Sequence, residues 1–171
     1  MSLWFTSFAD DGVITEDESA ELYQRAIIMY SVSNICAIPL IGYLCDRSSS
    51  NVVMPLGFAF RAVCGYLFVT VTSPETYYVN VLVILLGVGS SVEGIGTNIL
   101  FFRGLPSHIR GTMVGVTTLC YELSRFVFTL VGGQMFDLIG RSSPFLTMAG
   151  FDTLVFIIAL AMACTGKIKD K

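Results

Sequence analysis

The sequence predicts an all-α fold, a polytopic membrane bundle of about five transmembrane helices. Three observations predict it. Of the 171 residues, 54% are hydrophobic and 13% charged, with a mean hydropathy of +0.73; a soluble domain averages roughly 25% charged. Long apolar runs recur along the chain, each close to the roughly 20 residues that a bilayer crossing needs. The links between them are short and gather most of the charge and many of the small polar residues.

Composition also excludes function classes. The 10 Lys and Arg are scattered along the chain, so they assemble no basic surface for nucleic acid. The five cysteines, Cys36, Cys45, Cys64, Cys120 and Cys164, form no CxxC and lie in or beside apolar runs, which suits small packing residues better than metal or redox chemistry. His108 is the single histidine and falls in a short polar loop, so no Ser/His/Asp or Cys/His nucleophile set can be built. The sequence therefore points away from an enzyme, and neither a cofactor nor a metal site is expected. The expected partners are the lipid bilayer and a second membrane protein or another copy of the chain.

Residues 1–22 read as a short interfacial and acidic segment, and residues 23–171 as the bundle. The N-terminus lacks a basic region and carries Asp10, Asp11, Glu16, Asp17, Glu18 and Glu21, so no cleavable signal peptide is expected. Met1 to Ala9 is apolar but too short to span; it reads as the stub of a longer helix or as an interfacial segment anchored by Trp4 and Phe5. Thr15 precedes Glu18 by three residues, a capping-box spacing that predicts the start of a short helix.

The first crossing is predicted from about Tyr23 to Cys45, with Pro39 placed to kink it, and the second from about Val52 to Val71. The third runs from about Tyr77 to Phe102. Its centre holds Gly87, Gly89, Gly94 and Gly96, and small residues of this kind let membrane helices approach closely. No Gly-Lys-Ser/Thr follows, so the run is not a phosphate loop. The fourth crossing is predicted from about Thr112 to Phe136 and the fifth from about Pro144 to Thr165, followed by the basic tail Lys167 to Lys171.

With five crossings, one side of the membrane receives Arg47, Arg103, Arg110, Lys167, Lys169 and Lys171, and the other only Arg25 and Arg141. Positive residues favour the cytoplasmic side. The basic loops and C-terminus are thus expected in the cytoplasm, or in the matrix if the membrane is the mitochondrial inner one, with the acidic N-terminus opposite.

Two hairpins share a pattern of Gly, three residues, then Asp, with an Arg close behind: Gly42-Tyr-Leu-Cys-Asp46-Arg47 and Gly133-Gln-Met-Phe-Asp137-Leu-Ile-Gly140-Arg141. Each falls between two apolar helices and reads as a tight water-facing turn. The first resembles the loop signature of the major facilitator superfamily. Leu105-Pro-Ser-His-Ile-Arg110-Gly111 resembles that family's loop between helices ten and eleven, and Gly132 to Arg141 resembles the end of helix eleven. The motif order fits the C-terminal half of the family's fold, helices eight to twelve. The resemblance implies inverted three-helix repeats, with Asp46 and Asp137 on opposite faces of the membrane. The family's basic run after Asp-Arg is replaced here by Ser48-Ser-Ser-Asn51, so the usual charged clamp of that loop is missing.

Five ionisable residues lie inside or near the spans: Arg61, Glu93, Glu122, Arg125 and Asp152. A charge at the bilayer centre costs from about 2.5 to well over 10 kcal/mol unless it is paired or wetted, so each demands a partner. Glu122 and Arg125 are three apart and share a helix face, which predicts a pair. Arg61 and Glu93 sit on antiparallel neighbours at matching depth and predict a second ion pair. Asp152 is open to water, a neighbouring subunit or a missing helix. All five read either as structural ion pairs or as the lining of a substrate or proton path. The resemblance implies transport of a small solute by alternating access, competent only with a partner half or as an oligomer. The alternative is a transport-inactive remnant serving as a structural membrane subunit of a larger complex.

Overall fold

The computed structural model describes residues 1–47, 50–103 and 105–165. These form six α-helices with no strand among them: α1 (Ser2–Asp10), α2 (Glu16–Arg47), α3 (Ser50–Val69), α4 (Tyr77–Arg103), α5 (Arg110–Ile139) and α6 (Ser143–Cys164). A single 3-10 turn, Ser107–Ile109, leads into α5. Five stretches are long and apolar enough to cross a membrane, one in each of α2 to α6. All five predicted crossings are thus present, with shifted ends.

The shifts have local causes. The Thr15/Glu18 capping box forms: the Thr15 amide donates to Glu18 Oε2 at 2.8 Å, and the Glu18 amide donates to Thr15 Oγ1 at 3.3 Å. It opens the 32-residue α2 itself rather than a separate short helix, so α2 starts seven residues before the expected Tyr23. At the other end α2 runs through Pro39 to Arg47. Asp46 and Arg47 are therefore in its last helical turn, not in the turn that follows. Arg47 lies over the Tyr43 ring, one turn back, at 4.9 Å. Likewise Asp137 belongs to α5, and the real turn is centred on Gly140, whose φ of +126° is open to glycine alone.

The α1 helix packs on the bundle end. Trp4, Phe5 and Phe8 are buried, each with 2% of its surface exposed. Trp4 packs edge-on against Phe68 at 5.7 Å and Phe145 at 6.2 Å, and those two rings stack at 4.8 Å. Trp4 and Phe5 anchor α1 to the end of α3 and to the starts of α6 and α4, where Val79, Leu82 and Val83 complete the cluster. The aromatic run is a plug over one end of the bundle, because its rings find enough apolar partners there to leave the surface.

Helix order in space follows from contacts between small residues. α2 and α4 run parallel: a Cβ on Gly87 would strike Ser33 Oγ and come within 2.6 Å of the Tyr30 carbonyl. The Ser91 hydroxyl donates to the Asn34 carbonyl at 3.0 Å, and Asn34 Nδ2 to the Gly87 carbonyl at 3.4 Å. α3 lies antiparallel to α4, with Gly96 against Met54 and Gly57 against Val92, and antiparallel to α6, with Gly65 against Ala149. Close packing thus accounts for Gly87, Gly89 and Gly96, while Gly94 faces open space. α5 stands apart: none of its span is buried, and it meets α6 through Phe128 against Phe151 and Met135 against Ser143 and Thr147.

Candidate functional site

The centre of the bundle holds one ion network on three helices. Arg61 (α3) engages Asp152 (α6) through two parallel charge-assisted hydrogen bonds, Nε to Oδ2 at 2.7 Å and Nη2 to Oδ1 at 2.6 Å. Its remaining nitrogen, Nη1, pairs with Glu93 Oε2 on α4. A planar guanidinium presents its N–H groups as a rigid fork, so Arg, unlike Lys, can grip one carboxylate through two parallel bonds and still turn a third nitrogen to another.

Backbone placement makes the geometry possible. Asp152 follows the start of α6 at Ser143 by nine residues, and Arg61 precedes the end of α3 at Val69 by eight, so the two lie at equal depth from the same end. Gly89 lets the stem of Arg61 lie flat: a Cβ there would sit 3.5 Å from Arg61 Cβ and 3.6 Å from its Cγ. The guanidinium then reaches one turn further along α4, to Glu93. The Asp152 side chain is almost closed off, at 4% exposure, whereas Glu93 retains 25% and Arg61 20%. Two carboxylates face one cation, so the network carries a formal charge of −1, with Glu93 on its accessible side.

The five intramembrane residues singled out in sequence therefore split. Arg61 and Glu93 pair as expected. Asp152, expected to face water, a subunit or a missing helix, instead belongs to their network, and counting residues from the common end of α3 and α6 is the signal that finds it. Glu122 and Arg125 do not pair: no ion pair among the described residues includes either, and both are exposed on α5. Helical spacing allowed that pair, but both side chains point outward with nothing to hold them together.

The hairpin residues do not join the network. Gly42 and Gly133 meet no neighbour that a Cβ would touch. Asp46 and Asp137 are exposed. Arg141 instead ties the α5–α6 turn to the α1–α2 turn, through Asp11 Oδ2 at 3.0 Å and by lying 4.4 Å over the Phe8 ring. With alternating helices, Asp46 and Asp137 emerge at opposite ends of the bundle. Lys167, Lys169 and Lys171, with Ser48 and Ser49, lie outside the described residues. Cys45 and Cys64 are packed inside, while Cys36, Cys120 and Cys164 are exposed. No group of three or more His, Cys, Asp or Glu able to hold a metal occurs among the described residues.

Five apolar spans, three of them joined by an ion network, describe a multi-pass integral membrane protein. The chain belongs to the major facilitator superfamily, whose model matches residues 6–167. It is 25% identical over 166 residues to the magnetosome protein MamZ of Magnetospirillum gryphiswaldense, covering 96% of this chain and 26% of that protein. It is 26% identical over 134 residues to an uncharacterised MFS-type transporter of Methanocaldococcus jannaschii, covering 77% of this chain and 34% of that one. The magnetosome protein MamH of Paramagnetospirillum magneticum is 20% identical over 162 residues, which cover 95% of this chain and 38% of MamH. The chain thus spans between about a quarter and two-fifths of the length of these relatives. No solved structure matches it.

Proposed function

We propose that the chain forms one half of a major-facilitator transport body for a small solute, working with a partner half or as an oligomer, and that it is not an enzyme. The observation that carries this reading is the Arg61–Glu93–Asp152 network. A charge inside a membrane span is costly and persists where it has a use. Here the cost is met on three different helices, and the group left most accessible is the carboxylate of Glu93. An alternating-access carrier binds its solute near the midplane between two halves that rock against each other. Glu93 and Arg61, on the half described here, are placed to contribute to such a site. Asp152 holds Arg61 in position.

The test is reconstitution of the assembly purified from its own membrane, with uptake measured across a panel of radiolabelled sugars, amino acids, organic anions and metal cations. Saturable uptake that is lost in Glu93→Gln and Arg61→Ala, with the assembly intact, supports the reading. A proven monomer that takes up solute would refute the requirement for a second half.

One observation favours a second reading, a transport-inactive structural subunit of a larger membrane complex. All three guanidinium nitrogens of Arg61 are already engaged within the chain, which suits a lock between helices. Two relatives are named as magnetosome proteins, so the magnetosome is one setting in which to look for companions. Replacing the network by an apolar set, Arg61→Met with Glu93→Leu and Asp152→Leu, separates the readings. A carrier loses uptake; a structural subunit keeps its assembly and has no uptake to lose.

A further inference from the structure

The geometry points to α5 as a self-association surface, meeting the α5 of a second copy of this chain across a two-fold axis along the membrane normal. This rests on the reading of the chain as one half of a larger body, and it names the occupant of one open face. At about 100° per residue, Gly111, Gly115, Thr118, Glu122, Arg125 and Thr129 fall along one stripe of α5. The side-chain contacts with α6, through Phe128 and Met135, lie about 110° round the helix from that stripe, and only beyond Thr129 does the stripe's face meet the chain's own core, at Phe136. The stripe itself is open: a Cβ on Gly111 or Gly115 would meet nothing within 4 Å, and Glu122 and Arg125 are exposed without an ion pair among the described residues.

Small residues at spacings of four and three let two membrane helices approach closely. That alone would not name the partner; the charges do. Two copies inserted the same way, and related by a two-fold axis, bring position 122 of one near position 125 of the other. The axial offset is about 4.5 Å, which the long arginine side chain spans. Glu122 of each copy then meets Arg125 of the other, twice, so the face is its own complement. Isologous contacts of this kind are the commonest form of homo-oligomer. The same arrangement removes both charges from lipid, which the chain on its own does not do.

The experiment uses the full chain in membranes. Glu122→Arg leaves two cations on the stripe, and Arg125→Glu leaves two anions. Each single variant is expected to lose the dimer seen for the parent chain by cross-linking and by mass in detergent. Co-expression of the two variants, differently tagged, is expected to restore it as a mixed dimer, since the cationic face then meets the anionic one. Independently, Thr118→Cys in a chain whose Cys36, Cys120 and Cys164 are changed to Ser should form a disulfide dimer on oxidation. A chain keeping Cys120 as its one exposed cysteine should not, because Cys120 projects from the opposite side of α5, about 180° away. The proposal is overturned if the parent chain is a monomer, if either single-sign variant dimerises as before, or if Cys at 118 cross-links to a polypeptide of another mass. None of these results would touch the half-body reading, which fails by a separate measure, uptake by a proven monomer.

Discussion

At the scale of single residues, Arg61 and its partners decide whether the bundle centre is tolerable in lipid. Removing one member of a buried ion pair leaves the other uncompensated, at a cost of about 3–5 kcal/mol. Asp152→Ala should therefore lower stability by an amount near the low end of that range, since Glu93 still serves Arg61; detergent unfolding followed by tryptophan fluorescence would measure it. Replacing all three residues with apolar ones of similar volume should cost far less than the single change, because no orphan charge remains. Greater loss in the triple variant than in Asp152→Ala would contradict this account. Gly87 and Gly94 make a second contrast on one helix. Gly87→Ala forces a Cβ into Ser33 and the Tyr30 carbonyl, and overpacking of that kind costs about 1–3 kcal/mol. Gly94→Ala meets nothing within 4 Å and should be neutral, or should stabilise the helix by up to about 1 kcal/mol. Thermal unfolding of the two variants side by side reads the difference.

At the scale of elements, α1 and the start of α2 do more than an interfacial leader would. Trp4 joins the end of α3 to the start of α6, so Trp4→Ala should cost about 3–5 kcal/mol, as for other large-to-small aromatic changes in cores. A loss under 1 kcal/mol, followed by circular dichroism because Trp4 is the single tryptophan, would return α1 to the surface. The existence and order of the helices were legible from apolar run length, because a crossing imposes its own minimum. Their ends were less so. The hydrophobic run of α2 fades near Tyr23, but the Thr15/Glu18 box carries the backbone hydrogen bonding on to Glu16. The destination of Trp4 was not legible: an aromatic near a terminus has the same local pattern whether it meets lipid headgroups or Phe68. The Arg61–Glu93 pair followed from adjacent antiparallel helices. Asp152 escaped because α3 and α6 are distant in sequence, and nothing local to either helix reveals that they pack together. Glu122 and Arg125 show the opposite error, since intrahelical spacing permits a contact that the side chains do not make.

At the scale of the whole molecule, five alternating spans fix a relation that no single helix contains: Asp46 ends α2 at one end of the bundle, and Asp137 ends α5 at the other. The same alternation sends Arg47, Arg103 and Arg110 to the Asp46 end, while Arg25 and Arg141 go to the Asp137 end. From this bias we propose that the Asp46 end faces the cytoplasm or matrix and the acidic segment by α1 the opposite side. Chains with one exposed cysteine, Cys45 and Cys64 staying buried, test the topology and the orientation together. In a background with Cys36, Cys120 and Cys164 changed to Ser, Asp137→Cys should react with a membrane-impermeant maleimide added to sealed, right-side-out vesicles. Asp46→Cys should react only once the vesicles are opened. Both positions are exposed on helix ends, so access to water rather than burial governs labelling. The reverse pattern would leave the fold standing and invert its orientation; labelling of both from the same side would break the five-span topology, and with it the inverted relation between the two hairpins.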